Sequence, residues 1–539
     1  MKTMAMTGLV FLTAFSLKAG TLTVTSLADS GPGSLRDLVG ASIPGDTIVF
    51  GVSGTILLNS SINILHTLYV LGPGPDQLVV NADHVDRAFV VGGNPVFLAG
   101  MTITNGFVAG LNGPDASSPG QDGGPGLEAF GGAIFDSSTS DSLYVSNCWV
   151  VGNTVQGGSG GAGGNNPAGA AFKPGNGGAG ALAEGGAIYA TSNVFVINCT
   201  FSGNRAVGGH GGPGGTNGNP AVNEAGGKGG PGGDGQGGAV NELFNGTRRF
   251  QNATFSANRV GGGGGGRGGD SLNGPGGQGG NGGGAGGGAI ATLVADFVSD
   301  TIVSNSAIGG VGGVGGSGGP PGANGFQGSG TAGGVLGYTI VCLSTINNTI
   351  LADNFSSGLD PNYLMAWNDG GYNFYGTDDP LFCTVLGPGT QQGTINNPIH
   401  PQLGPLAQNG GGMPTHAVLL TSPVLDAGSS PGLSTDERFA SRPYDLSFVP
   451  NAPGGDGSDI GAFELGAGGL GVNLNTNGFV VSWPTFYADC VLQSNTNLGS
   501  NGWVDVDFSP VVESNRFFVT NPIVDVSKFY RLINRPLSP

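Results

Sequence analysis

Apolar positions alternate with small polar ones along most of the chain, and the alternation recurs. Val194, Val196 and Cys199–Thr200–Phe201 show it, as do Ile188 and Tyr189 ahead of a turn at Thr191–Asn193. Period two with β-branched enrichment predicts strands, and no segment of useful length shows helical periodicity. The stretch from Gly185 to Asn204, GGAIYATSNVFVINCTFSGN, returns in degraded form as GGAI from Gly131, GGAV from Gly237 and GGAI from Gly287. Each copy runs into a hydrophobic-x-x-Asn tetrapeptide: Val150–Asn153, Phe201–Asn204, Phe255–Asn258 and Ile302–Asn305, with looser copies ending at Asn105 and Asn354. A period of about fifty residues predicts a repeat architecture. Two short strands cannot bury an apolar face alone; stacked on like neighbours, with rungs about 4.8 Å apart, they can. Asn105, Asn153, Asn204, Asn258, Asn305 and Asn354 are then expected to form a structural ladder, each amide bonding those above and below and sitting in the αL bend of a rung corner. The Gly-Gly before Ala-Ile is expected to supply a bend at positive φ where the chain re-enters the sheet.

The paired GGA[ILV] and FxxN tetrapeptides resemble the repeats of the chlamydial polymorphic outer-membrane protein family. They are also similar to repeats of many secreted bacterial right-handed parallel β-helix proteins. GGA[IV] occurs four times and FxxN literally twice, as FSGN and FSAN, over roughly residues 100–355. The resemblance implies a fold and a surface location, not an activity. The fold class is therefore expected to be all-β: a right-handed parallel β-helix (pectin-lyase-like solenoid) with glycine-rich inserts at one corner, plus a small C-terminal β-sandwich.

The expected organisation follows the chain. Residues 1–19, with Lys2 and an uncharged run from Met4 to Leu17, read as a signal peptide, too short to span a membrane. Residues 20–100 form an N-terminal cap and first coils. There GPGSLRD from Gly31 looks like the entry segment of secreted β-helix proteins, and a short helix near Leu35–Ala41 is expected to close the open sheet edge. Residues 101–400 are the β-helix, residues 401–465 its closing segment, and residues 466–539, with short alternating runs such as Phe479–Trp483 and Cys490–Ser494, a sandwich module. The L-Q-S-x-T-N-L…F-Y-R-L pattern of that module is similar to terminal modules of exported proteins in the verrucomicrobial group.

Between each Asn and the next GGA lies a glycine-rich insert, roughly 106–130, 154–184, 205–236, 259–286 and 306–332, which together hold most of the 112 glycines. Two readings compete. Glycine loses most entropy on ordering, which favours floppy loops. The recurring Gly-Gly-x triplets instead suit left-handed helices of three residues per turn, close enough to bond one another as polyglycine II, running out and back side by side. One segment, GGRGGDSLN from Gly265, matches a calcium-binding nonapeptide, but a lone match in this background predicts no metal site.

The closing segment carries N-G-G, S-P-x-x-D-x-G, D-x-R and D-I-G-A-x-E elements from Asn409 to Glu464 and resembles choice-of-anchor Q domain proteins, departing at Phe439 where Gly is usual. Scarce charge concentrates there, in Asp426, Asp436, Arg438, Arg442, Asp459 and Glu464. One reading is a buried ion-pair and hydrogen-bond network that seals the C-terminal end of the coil. The other is a cation or ligand site built from Asp426, Asp436, Asp459 and Glu464.

A net charge of −18 argues against nucleic acid and anionic membranes as partners. Among five cysteines, Cys148 and Cys199 hold equivalent places and read as ladder thiols, not a bridge. The basic residues Arg205, Arg248, Arg249 and Arg259, the acids Asp136, Asp141, Asp296 and Asp300, and the histidines 66, 84, 210, 400 and 416 form no recognisable catalytic pattern. No catalytic residue, metal or cofactor is assigned. The expected function is an exported, non-enzymatic, adhesin-like scaffold, secreted or at a bacterial cell surface, with a carbohydrate or cell-surface ligand, no transmembrane helix, and lateral self-association through the glycine face. The alternative is a polysaccharide lyase or hydrolase, marked by a line of exposed acidic, basic and aromatic residues along one sheet face. Ice or crystal binding by a flat glycine face is a third idea.

Overall fold

The computed structural model describes residues 19–466 apart from 94, 139–140, 170–171, 243–245, 339–341, 359–360, 365, 379–384 and 431, and, beyond these, the strands between 471 and 534. Nearly all of the predicted signal peptide, residues 1–18, lies outside the described residues.

The repeats fold as successive coils of a right-handed parallel β-helix. The longest strands, Val96–Thr104, Ser142–Val151, Asn193–Ser202 and Arg248–Ser256, lie side by side in one parallel sheet that continues through Thr301–Val303 and Ile350–Ala352. Like residues sit above like. Leu98, Val145, Val196, Phe250, Phe297 and Ile346 are register partners in turn, and all are buried. A second interior column runs Ile103, Val150, Phe201, Phe255, Ile302, Leu351, which explains the apolar first residue of each tetrapeptide. The rings of Phe201 and Phe255 stack at 5.0 Å. Cys148 and Cys199 are register partners with free thiols, and burial raises the pKa of the Cys199 thiol.

A helix at Leu35–Ala41 covers the N-terminal end. Ser34 accepts from the Asp37 N–H as its N-cap, and Leu35 and Val39 are buried. The first glycine of each pair takes the expected bend: φ is +57° at Gly131, +67° at Gly185, +62° at Gly237 and +65° at Gly287. Of the six expected ladder asparagines Asn105 alone takes the αL bend, at φ +56°; Asn153, Asn204, Asn258, Asn305 and Asn354 do not. That place belongs to the residue before each: Gly152, Gly203, Ala257, Ser304 and Asp353, all with positive φ. The reason is geometric, because the Asn side chain must point inward at the corner, and the preceding residue makes the turn that aims it.

Two short sheets flank the point where the inserts leave and return. One contains Thr154–Gln156, Arg205–Val207 and Arg259–Gly261; the other contains Ala183–Glu184, Gly235–Gln236 and Ala285–Gly286. Small residues, Ala129, Val155, Ala183, Ala206, Val260, Ala285 and Ala307, pack between them and bring the two sheets close.

The closing segment packs on the last coils, where Ile350 and Phe374 share a core with Val424, Ile460 and Phe463, and it extends beyond them. It lies along the flank of the long sheet. The Thr200 hydroxyl is 2.7 Å from both the Pro414 carbonyl oxygen and the Glu437 carboxyl, Asn252 Nδ2 donates to the Thr435 carbonyl at 3.0 Å, and the Ala462 N–H donates to Thr301 Oγ1 at 3.0 Å. The short-range sequence pattern says nothing about which surface such a segment covers. Here polar side chains in the outer half of the long strands supply its partners. An antiparallel hairpin, Leu403–Ala407 with Thr415–Val418, opens this segment. Two small antiparallel sheets follow in the C-terminal module, and Val481, Trp483, Leu492 and Val519 are buried there. No helix among the described residues is long and apolar enough to cross a membrane.

Candidate functional site: a glycine slab and a buried polar seam

The inserts are ordered. Each runs out from the coil and back as two extended helices with a repeat of three, and the ten pack as two layers. Hydrogen bonds define the lattice. Gly160 N–H donates to the His210 carbonyl on the next outgoing helix at 2.8 Å, Gly161 N–H to Gly124 on the previous returning helix at 2.8 Å, and Gly178 N–H to Gly161 on its own outgoing helix at 2.8 Å. The same pattern recurs at three-residue steps through Gly208–Gly215, Gly226–Gly233, Gly262–Gly269 and Gly276–Gly283. Such spacing leaves no room for side chains at two positions of three. A Cβ on Gly161 would meet the Pro114 oxygen at 2.0 Å, and one on Gly230 the Gly178 oxygen at 1.9 Å. The entropic cost of ordering glycine is offset by bonding on three sides, and the coil beneath sets the register.

The third position points outward, so its side chains form a grid on each face. Its own N–H lacks a backbone partner in the lattice, and Asx side chains serve it. Asn112 Oδ1 accepts from Ser159 N–H (2.9 Å), Asn165 from Thr216 (2.8 Å) and Asn281 from Phe326 (3.0 Å). Asp270, in the segment that matches the calcium nonapeptide, does the same for Ser317 (2.7 Å) while pairing with Arg267, and these contacts lower its pKa to about 2, Arg267 contributing most. Glycine disappears where there is no neighbour. On the first outgoing helix Leu111 and Pro114 fill the second places, and on the last returning helix Pro321, Asn324 and Gln327 fill the first. Asn324 Oδ1 also takes the Gly315 N–H at 2.9 Å.

The asparagine ladder stands at the root of this slab. Asn153 Nδ2 donates to Asn204 Oδ1 at 2.9 Å, Asn204 to Asn258 at 2.9 Å, Asn258 to Asn305 at 2.9 Å and Asn305 to Asn354 at 2.9 Å. Each Oδ1 accepts also from the backbone N–H of the preceding Asn. The column continues to Asn362. Asn105 lies outside it: it occupies the αL place (φ +56°) and bonds Asn81, while the Gly106 N–H donates to Asn153 Oδ1 at 2.8 Å. One residue of slippage in the loosest repeat accounts for this.

The closing segment buries its charges. Arg438 Nε and Nη2 bind Asp436 Oδ2 at 2.8 and 2.6 Å, and the Arg438 guanidinium lies over the Phe463 ring at 3.6 Å. Arg442 Nε binds Glu464 Oε2 at 2.8 Å, and its Nη2 donates to the Gly461 carbonyl at 2.7 Å. Asp459 Oδ1 accepts from the Asp426 N–H at 2.8 Å, and Asp426 Oδ2 from Leu446 N–H at 2.9 Å. The six residues therefore form one seam in which arginines and backbone N–H groups satisfy the carboxylates, save Asp426 Oδ1, which has no partner among the described residues. Burial pushes the Asp426 carboxyl up to about 6 and raises Asp459 and Glu464 as well.

Two elements of this seam escape a reading of the sequence. Glu437 is fully buried between Thr200 and Thr254, and burial raises its pKa. A second set of asparagines at positive φ, Asn147, Asn198 and Asn252 in mid-strand and Asn348 between two strands, stands beside it, and Asn348 Nδ2 donates to the Asp459 carbonyl at 3.0 Å. Its signal is present: each stands six positions before a ladder asparagine. The other charged residues scatter. Arg248 forms a buried pair with Glu242, Asp300 accepts from the Ala253 N–H, and exposed Arg205 and Arg259 are register partners at the slab root.

No family model matches the chain, and no curated protein does. Among solved structures, it is similar to the nine polyproline type II helical bundle springtail antifreeze protein from Granisotoma rainieri, at 25% identity over 41% of this chain and 95% of that one, with a TM-score of 0.15. The crystal waters on that protein are described as matching the ice lattice.

Proposed function

We propose that the chain is an exported, adhesin-like display scaffold, at work outside the cell or on its surface, whose glycine slab contacts a carbohydrate or another cell-surface polymer. One observation carries this reading: the inserts form a rigid, hydrogen-bonded slab whose outward side chains stand on a fixed grid. Along each helix they recur about every 9 Å, three residues at a rise near 3.1 Å. The outgoing face presents Asn112, His210, Pro213 and Arg267, and the returning face Asn176, Lys228, Gln278 and Asn281. Such mixed hydrogen-bonding and charged groups suit a polar polymer. Charges such as Lys228 and Arg267 hold water strongly, which weighs against an ordered ice plane. Glycan-array and insoluble-polysaccharide binding by the whole chain tests the proposal. Substitution of Lys228 and Gln278 by alanine is expected to weaken binding at least tenfold without lowering the unfolding midpoint. No binding to any polymer, with ice-recrystallisation inhibition instead, replaces it with the ice reading.

A second reading, a polysaccharide lyase or hydrolase, is favoured by one feature. Half-buried Tyr69, Phe97, Tyr144 and Phe195 stack along the outer face of the long sheet, and the same row continues as Arg249 and Asp296. The rings stack face to face at 4.3–4.6 Å and so offer edges, not faces, to a sugar. Depolymerisation of uronic-acid polymers, lost in Arg249→Ala, would establish this reading over the first.

A further inference from the structure

Near the root of the returning face, the outward places of the fourth returning helix end in glycine. They run Gln278, Asn281, Gly284. Sterics do not demand glycine there: a Cβ on Gly284 would stand 3.4 Å from Asp234 Oδ1 and 3.7 Å from the Ser329 carbonyl oxygen, both ordinary contacts. Two residues on, Gly286 is the register partner of Gln236 on one side and Thr331 on the other. One rung thus lacks side chains at two neighbouring outward places, while the rungs beside it carry Asp234 with Gln236 and Ser329 with Thr331. The result is an open notch of about 190 Å³, with Leu336 and Tyr338 as its third wall. Asp234, Ser329 and Tyr338 are exposed, and Gln236, Thr331 and Leu336 are half-buried, so a solute reaches every wall.

Two of the polar groups are held in place. Asp234 Oδ1 accepts the Gly284 N–H at 2.6 Å, which leaves Oδ2 open among the described residues. Asn241 Nδ2 lies 3.5 Å from Gln236 Oε1, which leaves the Gln236 amide donor open as well. Burial, with Glu184 and Asp234 nearby, raises the Tyr338 phenol above its ordinary pKa, so it stays protonated and able to donate. The hydroxyls of Ser329 and Thr331 both donate and accept. Charge and size narrow the ligand. Among the described residues no Lys or Arg lines the notch, so an anion would meet Asp234 with nothing to offset it. A wholly apolar ligand would strip the carboxylate and hydroxyls of water without replacing it. At about 190 Å³ the notch is smaller than the roughly 300 Å³ at which drug-sized ligand sites begin, so it holds a single ring. We propose that it binds one neutral hexopyranose ring. Asp234 accepts from the ring hydroxyls, Gln236 and Thr331 donate to them, and Leu336 and Tyr338 meet the C–H groups. The site stands whether or not the slab faces contact a polymer.

The test uses the full chain and saturation-transfer NMR with the methyl pyranosides of glucose, galactose and mannose, and with glucuronate as the anionic control. At least one neutral glycoside is expected to bind, and glucuronate is not. Gly284→Leu fills the notch from an outward place that has room for a side chain, so it should abolish binding with an unfolding midpoint close to the parent's. Asp234→Asn keeps the acceptor for the Gly284 N–H but loses the charge, and should weaken binding at least tenfold. Lys228→Ala and Gln278→Ala should leave it unchanged, which separates this site from polymer binding on the slab. Binding of none of the three glycosides, glucuronate bound as well as they are, or binding unaltered in Gly284→Leu or in Asp234→Asn each overturns the proposal.

Discussion

Asn176 Oδ1 accepts the backbone N–H of Lys228 at 2.9 Å, and Asn176 in turn donates its own N–H to Asp122 Oδ1 at 2.6 Å. Three successive coils are thus laced across the returning face of the slab by side chains, at the one N–H per triplet that the glycine lattice does not serve. Asn176→Ala should remove a bond worth about 1 kcal/mol and leave the fold intact. Hydrogen exchange checks it: the Lys228 amide should exchange faster, while Gly227 and Gly230, bonded to Gly215 and Gly212, should not.

Glycine content of the slab is set by sterics. Gly230→Ala places a methyl where the Gly178 oxygen stands 1.9 Å away, so the third insert must separate from the second. Protease sensitivity should rise in residues 175–233. The neighbouring exposed change Lys228→Ala should be silent in the same assay.

The ladder carries more weight per residue. Asn258→Ala deletes the acceptor for two donors of Asn204 and the bonds to the Phe201 carbonyl and to Asn305. With buried donors left unmet, the loss should be about 3 kcal/mol, read as a lower denaturant midpoint. Asn105→Ala, outside the column, should cost far less.

Glu184 gives a pH signature. Burial, reinforced by Glu128, raises its carboxyl from 4.5 to about 7. A raised carboxyl favours the folded state while protonated, so its contribution is full below pH 4.5 and is lost as pH rises to about 7. The loss is up to about 3 kcal/mol at 1.36 kcal/mol per unit. Thermal unfolding of Glu184→Gln should show a smaller decline across that window than the parent chain.

Arg442 latches the seam. Arg442→Met leaves the Glu464 carboxylate buried without its guanidinium and should destabilise the closing segment by about 3–5 kcal/mol. Limited proteolysis is expected to cut within residues 404–464 first, before the coil is touched.

Much of this architecture can be read in the residues because steric demand writes itself as residue type at fixed spacing. The fifty-residue period, the glycine bends at Gly185 and Gly237, and the helix begun by Ser34 are of this kind. So is the slab, in retrospect: Gly-Gly-x in the middle inserts relaxes to GLNGPD at one border and PGANGFQGS at the other, and glycine persists only where a neighbour presses. The docking of the closing segment is not readable in this way. Thr200, Thr254 and Asn252 look like ordinary outward strand residues, and nothing local announces that Glu437 or Thr435 will meet them from roughly two hundred positions away. Asn105 misled because a repeat copy drifted by one position, and alignment by residue name cannot see which way a side chain turns.

Since each of the five insert-bearing coils sends out one helix and receives one back, the breadth of the platform is quantised. Duplicating a single fifty-residue unit would widen it by one helix pair and leave both bordering inserts, with their proline and leucine margins, unaltered. A lineage could therefore enlarge or trim this surface by copying or deleting units, with no new folding problem to solve at either rim.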